Sequence, residues 1–379
     1  MSIYLDNAAT TCIDNQVMEA MLPYLKDCYG NPSSTHSFGR ETKAAIEQAR
    51  KTVAGHFNVT PGEIFFTSGG TESNNTAIKC AVRDFSIDHI ISSPIEHHCV
   101  LDTVEHLAEQ GTITPHYVRI LEDGHIDPEH LTELLSSLEG NTLVSLMHAN
   151  NEIGTVLPLK QVGDICKEYG ALFHSDTVQT VAHYPLDLHE LNVDMVSGSA
   201  HKFHGPKGSG FLYVNKNLKL DAFIHGGGQE RSMRSGTENL YGIVGLAKAF
   251  DIACHEMNDQ NEHILELKQY MADQLHQNVP DIQFNGDIGH DQLCTVLNVS
   301  FPKSDQSEMF LLNLDMEGIA ASGGSACSSG ADAGSHVLNE LNVDPHRPSV
   351  RFSFSKYNTK EEIDTVVEKI KALYPVAAK

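Results

Sequence analysis

Three groups suited to one kind of chemistry stand at the ends of short β-rich runs. The stretch SGGTESNN (68–75) sets two glycines before Thr71, where a helical pattern begins. Backbone N–H groups and the positive end of a helix dipole favour a phosphate at such a start. The lysine of a P-loop and the GxGxxG spacing of a dinucleotide site are both missing, which argues against a nucleotide. The run ALFHSD (171–176) closes on Asp176, with Gln179 just beyond, and SGSAHKFHGPKGSG (197–210) delivers Lys202 after His201 and a row of small residues. Taken singly, each has a plain alternative: an ordinary strand-to-helix turn, a capping aspartate, a surface-loop lysine. Taken together, a phosphate anchor, a carboxylate and a lysine at the strand ends of one sheet are the set a pyridoxal phosphate enzyme needs. The lysine forms the Schiff base, the carboxylate keeps the pyridinium nitrogen protonated, and the ring then serves as an electron sink.

A fourth feature is Cys327, in ASGGSACSSG (321–330), among residues too small to bury it. Glycine and serine pack against little and let a thiol travel. The chain has eight cysteines, none in a CxxC pair, and most have apolar neighbours, as Cys166 in VGDICKEYG and Cys294 in LCTVLNVSF do. They read as free thiols in a reducing compartment. The 22 histidines show no HExxH or comparable spacing, so no metal is expected.

The elements that must position these groups follow from the pattern around them. EIFFTS (63–68), HIISS (89–93), LVSLMH (143–148), ALFHSD (171–176), VDMVSGSA (193–200) and GFLYV (210–214) alternate with helical patterns. That alternation predicts an α/β fold with a mostly parallel sheet, whose ligands lie beyond the carboxyl ends of the strands. After about residue 235 a long helical stretch leads to a different rhythm, which predicts a smaller α+β domain. The division expected is a large α/β domain over 15–255 and a small domain formed by 1–14 plus 256–379, joined through helix. At 379 residues two domains are reasonable. The net charge of −24 argues against direct binding to nucleic acid or an anionic membrane. No long apolar run suits a membrane span, and MSIYLDNAATT does not look like a signal peptide, so a cytoplasmic protein is expected.

Ten motifs in order resemble the cysteine desulfurases, in the long-loop group of fold-type I, class V aminotransferase-like pyridoxal phosphate enzymes. They are YLDNAATT, GNPSSTHSFGR, FTSGGTESNN, EHHCVLD, MHANNEIG, HSDTVQT, SGSAHKFHGPKGSG, HGGGQERSMRSGT, SGGSACSSG and SVRFSFS. The resemblance implies a large domain with a seven-stranded type of sheet, and a homodimer. It implies that Lys202 is the Schiff-base lysine and α-proton base, that Asp176 pairs with the pyridine nitrogen, and that Gln179 and Asn151 bond near the ring hydroxyl and substrate. His97 would stack on the ring and move a proton. Gly70, Thr71, Ser199 and His201 would hold the phosphate, while Thr237 would reach the phosphate of the other subunit's cofactor. Arg351 would clamp the carboxylate of L-cysteine, with Asn31 beside it. Cys327 would take the sulfur as a persulfide and pass it to an acceptor such as an iron-sulfur scaffold protein.

Departures from the family pattern matter too. Gly323 stands where the familiar loop has serine, and Gly70 where alanine is common, a change that backbone contacts should tolerate. The chain runs out at YPVAAK without the longer extension that many long-loop relatives use to meet a scaffold. Selenocysteine lyase and a class V aminotransferase remain the alternative activities, and a sulfur carrier without catalysis the non-enzymatic one.

Overall fold

The computed structural model describes residues 2–289, 292–304, 307–324 and 334–374. The chain opens with β1 (Ile3–Tyr4), α1 (Asn15–Lys26) and α2 (Ser37–His56). Strand and helix then alternate: β2 (Ile64–Thr67), α3 (Gly70–Asp84), β3 (His89–Ser92), α4 (His98–Glu109), β4 (Thr114–Tyr117), α5 (Pro128–Ser137), β5 (Thr142–Ser145), α6 (Leu159–Glu168), β6 (Leu172–Asp176), β7 (Met195–Ser199) and β8 (Gly210–Val214). The remainder is α7 (Leu240–His255), α8 (Met257–Asn278), β9 (Gln283–Phe284), β10 (Val296–Ser300), α9 (Phe310–Met316), β11 (Ile319–Ala320), α10 (His336–Glu340), β12 (Ser349–Ser353) and α11 (Lys360–Leu373).

The expected α/β architecture is present, as a seven-stranded sheet in the order β2-β8-β7-β6-β5-β3-β4. Every residue of β5 and β7 is buried, as strands covered by helices on both faces require. The pairs from β4 through β3, β5 and β6 to β7 are parallel, whereas β8 runs antiparallel to both β7 and β2. The reason is local. A parallel return needs a crossover of about a dozen residues or more, and the loop from β7 to β8 is too short for one. Strand β4 was not legible in the sequence. It is the edge strand TPHY, carries a proline and buries no residue fully, so no apolar alternation marks it.

Two main cores form. One gathers Val53, Phe173, Phe203, Phe211 and Phe250 between the sheet and α1, α2 and α7. The other gathers Leu267, Val299, Phe352 and Ile363 from the last third of the chain, together with Ile3 and Leu5 from its start. β1 joins it by pairing in parallel with β11, beside a three-stranded antiparallel sheet β12-β10-β9.

The residues after β1 form a strap between the cores. Asp6 bridges Ser353 of β12, and the Ala8 N–H donates to Ser353 Oγ at 2.9 Å. Further on, the Thr11 N–H and hydroxyl both donate to the carbonyl of His201 at 2.9 Å. A second tie is a buried ion pair. Arg50 of α2 grips both carboxylate oxygens of Glu230 at 2.7 and 2.8 Å, and Glu230 also accepts the Phe66 N–H. Burying two charges is favourable only with such complete pairing. It holds a turn in which Glu230, Arg231 and Ser232 all adopt positive φ, at 44°, 55° and 68°.

Phe211 is fully buried, with Phe57 at 5.5 Å and Phe250 at 6.2 Å between ring centroids. Phe211→Ala is expected to cost about 3–5 kcal/mol. Urea unfolding should show it as a lower midpoint at nearly unchanged slope; a midpoint equal to wild type would mean this ring does not carry the core.

Candidate active site

The carboxyl ends of the parallel strands open onto a cavity of about 190 Å³. Parallel pairing sets its floor. Asp176, the last residue of β6, stands opposite Ser197 of β7, so the residues that follow β7 rise beside it. Asp176 is buried, and its two oxygens accept from Asn74 Nδ2 at 2.6 Å and from the Val178 N–H at 2.9 Å. Across the same cavity Lys202 Nζ donates to the carbonyls of Ala8 and Ala9, the second at 2.9 Å. A carboxylate and an amine thus face one space, each held by groups from another part of the chain.

The phosphate turn predicted from SGGT forms. α3 starts at Gly70, preceded by Gly69 at φ 153°, a conformation that favours glycine. The walls beside this helix start are Thr71 and Ser199. His201 stands at the same wall, its Nδ1 3.2 Å from Thr10 Oγ1, and burial pushes its pKa down to about 4. Its ring is therefore neutral at pH 7 and can donate without adding charge. Position 70 is glycine where the resembled pattern has alanine, and the space beside it is tight. A Cβ there would lie 2.7 Å from Val178 Cγ2. Backbone contacts would accept it, but Val178, a cavity residue, would have to move.

His97 caps α4, its Nδ1 accepting the Cys99 N–H at 3.1 Å. Burial, the largest influence, lowers its pKa; Lys202 lowers it too and Asp176 opposes. Gln179 donates from Nε2 to the Ala8 carbonyl at 3.1 Å, and Asn151 is buried in the wall. Arg351, on β12 and only 1% exposed, reaches the cavity from the other core. Its guanidinium donates to Asp6 Oδ1 at 2.9 Å and to the Asn151 carbonyl at 3.0 Å, while Nε has no partner among the described residues.

Two expected residues are not brought to this cavity. Asn31 is exposed and spends Oδ1 on the Ser33 N–H at 2.9 Å, in a turn before α2; the expectation that it lies beside the substrate carboxylate is not met within one chain. Thr237 is exposed as well and does not line the cavity. Cys327 lies outside the described residues. On its near side, Ser322 pairs with Arg351 of β12, whose N–H donates to the Ser322 carbonyl at 2.6 Å.

Sequence reasoning assigned no role to Ala8, Ala9, Asn74 or Cys99, although all stand in the quoted motifs; carbonyls and neutral side chains carry no charge signal. Glu96, beside His97, is buried with one oxygen lacking a partner among the described residues, and burial pushes its pKa up to about 8. Elsewhere, a cleft of about 790 Å³ opens among Glu63, Asp194, Tyr213 and Lys216 and contains none of the expected site residues. At the meeting of α2 and α7, His56, Asp251 and His255 place ligand atoms within 4.8 Å of one another, a grouping no sequence spacing announced.

A family model described as aminotransferase class-V matches residues 3–366. A cysteine desulfurase IscS of Dictyoglomus turgidum is 44% identical, over 98% of this chain and 96% of the relative. The chain belongs to the cysteine desulfurases. A putative member of the family from Bacillus subtilis is 42% identical over 97% of both chains. Among solved structures, a NifS-like protein superposes with a TM-score of 0.91 at 38% identity, covering 98% of this chain and 99% of the other. SspA in complex with cysteine gives 0.81 at 33%, covering 94% and 100%. In this cysteine desulfurase the cavity lies at the strand ends, and both cores contribute to it.

Glu96 supplies a test of the buried wall. Its folded pKa lies above the ordinary carboxylate value, so between about pH 5 and 8 the folded chain holds a proton that the unfolded chain has released, and stability falls as pH rises. Glu96→Gln keeps the shape without that proton. Its melting temperature relative to wild type is expected to climb steadily across this range; a difference independent of pH would show that Glu96 is ionised in the folded protein.

Proposed function

We propose that the chain removes sulfur from L-cysteine, giving L-alanine and a persulfide on Cys327, with pyridoxal phosphate bound in the cavity described above. The observation that carries this reading is the opposition of Lys202 and Asp176 across one cavity that also contains a helix N-terminus and a buried arginine, in a chain of the cysteine desulfurase family. The residues present fit the cofactor. Asn74 Oδ1 is buried in the wall without a partner among the described residues, so an acceptor waits there for a donor from a bound group. The start of α3 offers N–H groups and dipole to an anion, and Lys202 is within the same space.

Bound there, pyridoxal phosphate supplies an electron sink for the pair left when the substrate α-proton is removed. Lys202 would be its covalent anchor and would move that proton, its amine held in place by the carbonyls of Ala8 and Ala9. Asp176 keeps the ring nitrogen protonated, an arrangement Asn74 and the Val178 N–H preserve by fixing the carboxylate. His97 would stand against the cofactor ring and would pass a proton to or from sulfur. Gln179 and Asn151 would hydrogen-bond near the ring hydroxyl and the substrate, and Gly70, Thr71, Ser199 and His201 would hold the phosphate. Arg351, a planar donor already oriented by Asp6, takes the substrate carboxylate. The Cys327 thiolate attacks the substrate sulfur: an S–S bond forms, the C–S bond breaks, and its electron pair stays on carbon, which then takes a proton. Cys327 follows Ser322 by five positions, a reach of up to about 17 Å of chain, and Ser322 is tied to the residue that holds the substrate.

The division into a domain of 15–255 and one of 1–14 plus 256–379 is supported by the two cores. Homodimerisation is supported by an apolar surface containing Met18, Leu22 and Leu25 of α1 with Tyr29 and Phe38, all exposed. The exposed Thr237 would then serve the partner's phosphate and Asn31 the shared rim. No described helix is long and apolar enough to cross a membrane. We place the protein in the cytoplasm, passing sulfur to an acceptor such as an iron-sulfur scaffold.

The test is incubation with L-cysteine and reductant, measuring alanine and sulfide. Wild type should release both in equal amounts. Cys327→Ala should lose sulfide by about 100-fold or more, as removal of a nucleophile does, and Lys202→Ala should lose alanine as well. Equal sulfide from wild type and Cys327→Ala would overturn the persulfide step. A keto acid in place of alanine would mark an aminotransferase, and selenocysteine turnover that survives Cys327→Ala a selenocysteine lyase.

A further inference from the structure

Four side chains in the cavity wall form a directed line of hydrogen bonds. Asn74 Nδ2 donates to Asp176 Oδ2 at 2.6 Å and to Cys99 Sγ at 3.1 Å. Its amide has two hydrogens, so both bonds can be made at once, and the carboxylate fixes which end of the amide faces inward. Cys99 Sγ in turn lies 3.0 Å from His97 Nδ1. That nitrogen already accepts the Cys99 backbone N–H at 3.1 Å. A backbone N–H only donates, so Nδ1 bears a lone pair, and the neutral ring must carry its proton on Nε2. Facing a lone pair, the sulfur must be the donor. It can be one, because burial pushes the Cys99 thiol up to about 12 and keeps it protonated at neutral pH.

We propose that Cys99 is a positioning residue: its thiol joins Asn74 to His97 and, with its own backbone N–H, holds the His97 ring with the proton on Nε2, oriented by the same amide that fixes Asp176. The line runs from Asp176 through Asn74 of α3 and Cys99 of α4 to His97, the cap of α4. It couples the carboxylate assigned to the ring nitrogen with the imidazole assigned to the ring face. Two donors at Nδ1 favour the neutral ring and hinder its rotation. The groups that also act on His97 are Asp176 on β6, Lys202 after β7, His98 on α4 and His336 on α10. None of them bonds to Nδ1 among the described residues, so the thiol's contribution can be separated from theirs.

The inference rests on reading this cavity as the cofactor site, and the experiment keeps the two apart. His97 is followed by NMR of histidine-labelled protein, assigned with His97→Gln, with and without bound pyridoxal phosphate. The variants are Cys99→Ser, which keeps a donor, and Cys99→Val, which keeps bulk without one. Loss of a neutral donor at Nδ1 favours ring protonation, so Val should raise the His97 pKa by about half to one unit, while the backbone N–H of residue 99 keeps the neutral ring's proton on Nε2. Ser should restore the wild-type His97 pKa, and the acid limb of the desulfuration profile should follow the same order. Val behaving as wild type overturns the proposal, and so does Ser behaving as Val. Failure of wild type to bind the cofactor would instead overturn the reading of the cavity and leave the NMR comparison standing.

Discussion

The parallel pairing of β6 with β7 is the constraint on which the site depends. It brings Asp176 opposite Ser197 and sends the chain after Ser199 up beside it, so that the carboxylate and Lys202 arrive at one cavity. A shift of one residue would turn every side chain of β6 to the other face and send Asp176 into the helices. What prevents the slip is burial on both faces: Phe173 packs in the main core, while His174, itself fully buried, lies 2.9 Å from Ser145 Oγ on one neighbour and 3.2 Å from Ser197 Oγ on the other. Burial drives the His174 pKa down to about 3, so its ring is neutral at pH 7 and these are neutral hydrogen bonds.

The site is also a joint. Lys202 follows a strand of the sheet, Arg351 lies on β12 of the second core, and the strap of Asp6, Ala8 and Ala9 holds them together with one partly buried salt bridge and two carbonyls. Because Arg351 is 1% exposed, its charge is stable only while Asp6 and the Asn151 carbonyl remain in place. The stability of the fold and the shape of the cavity therefore draw on the same contacts. Any shift of one core against the other would first be felt at the amine and the guanidinium.

Much of the site was legible in sequence because strand ends have a physical meaning in α/β sheets. Asp176, Lys202 and the SGGT turn could be placed on one edge without knowing the strand order, since every parallel strand delivers its carboxyl end to the same side. Arg351 and His97 needed the family resemblance, for nothing in SVRFSFS or EHHCVLD taken alone says that they meet. Asn74 and Cys99 were passed over because a neutral amide in a helix and a half-buried thiol look like packing. Strand β4 was passed over because an edge strand with a proline leaves no alternation to read.

The sequence by itself determined the class of fold, the chemical groups and the edge of the sheet at which they gather, since apolar periodicity and small-residue turns act locally along the chain. Only the tertiary structure decided which donors those groups face. Lys202 meets the carbonyls of residues almost two hundred positions earlier, Arg351 meets Asp6 from the opposite end of the chain, and Cys99 stands between Asn74 and His97. Such partners are chosen by strand register and by the docking of the two cores, which no local pattern encodes. The direction of a hydrogen bond, and with it the place of a proton, exists only once both ends are in position.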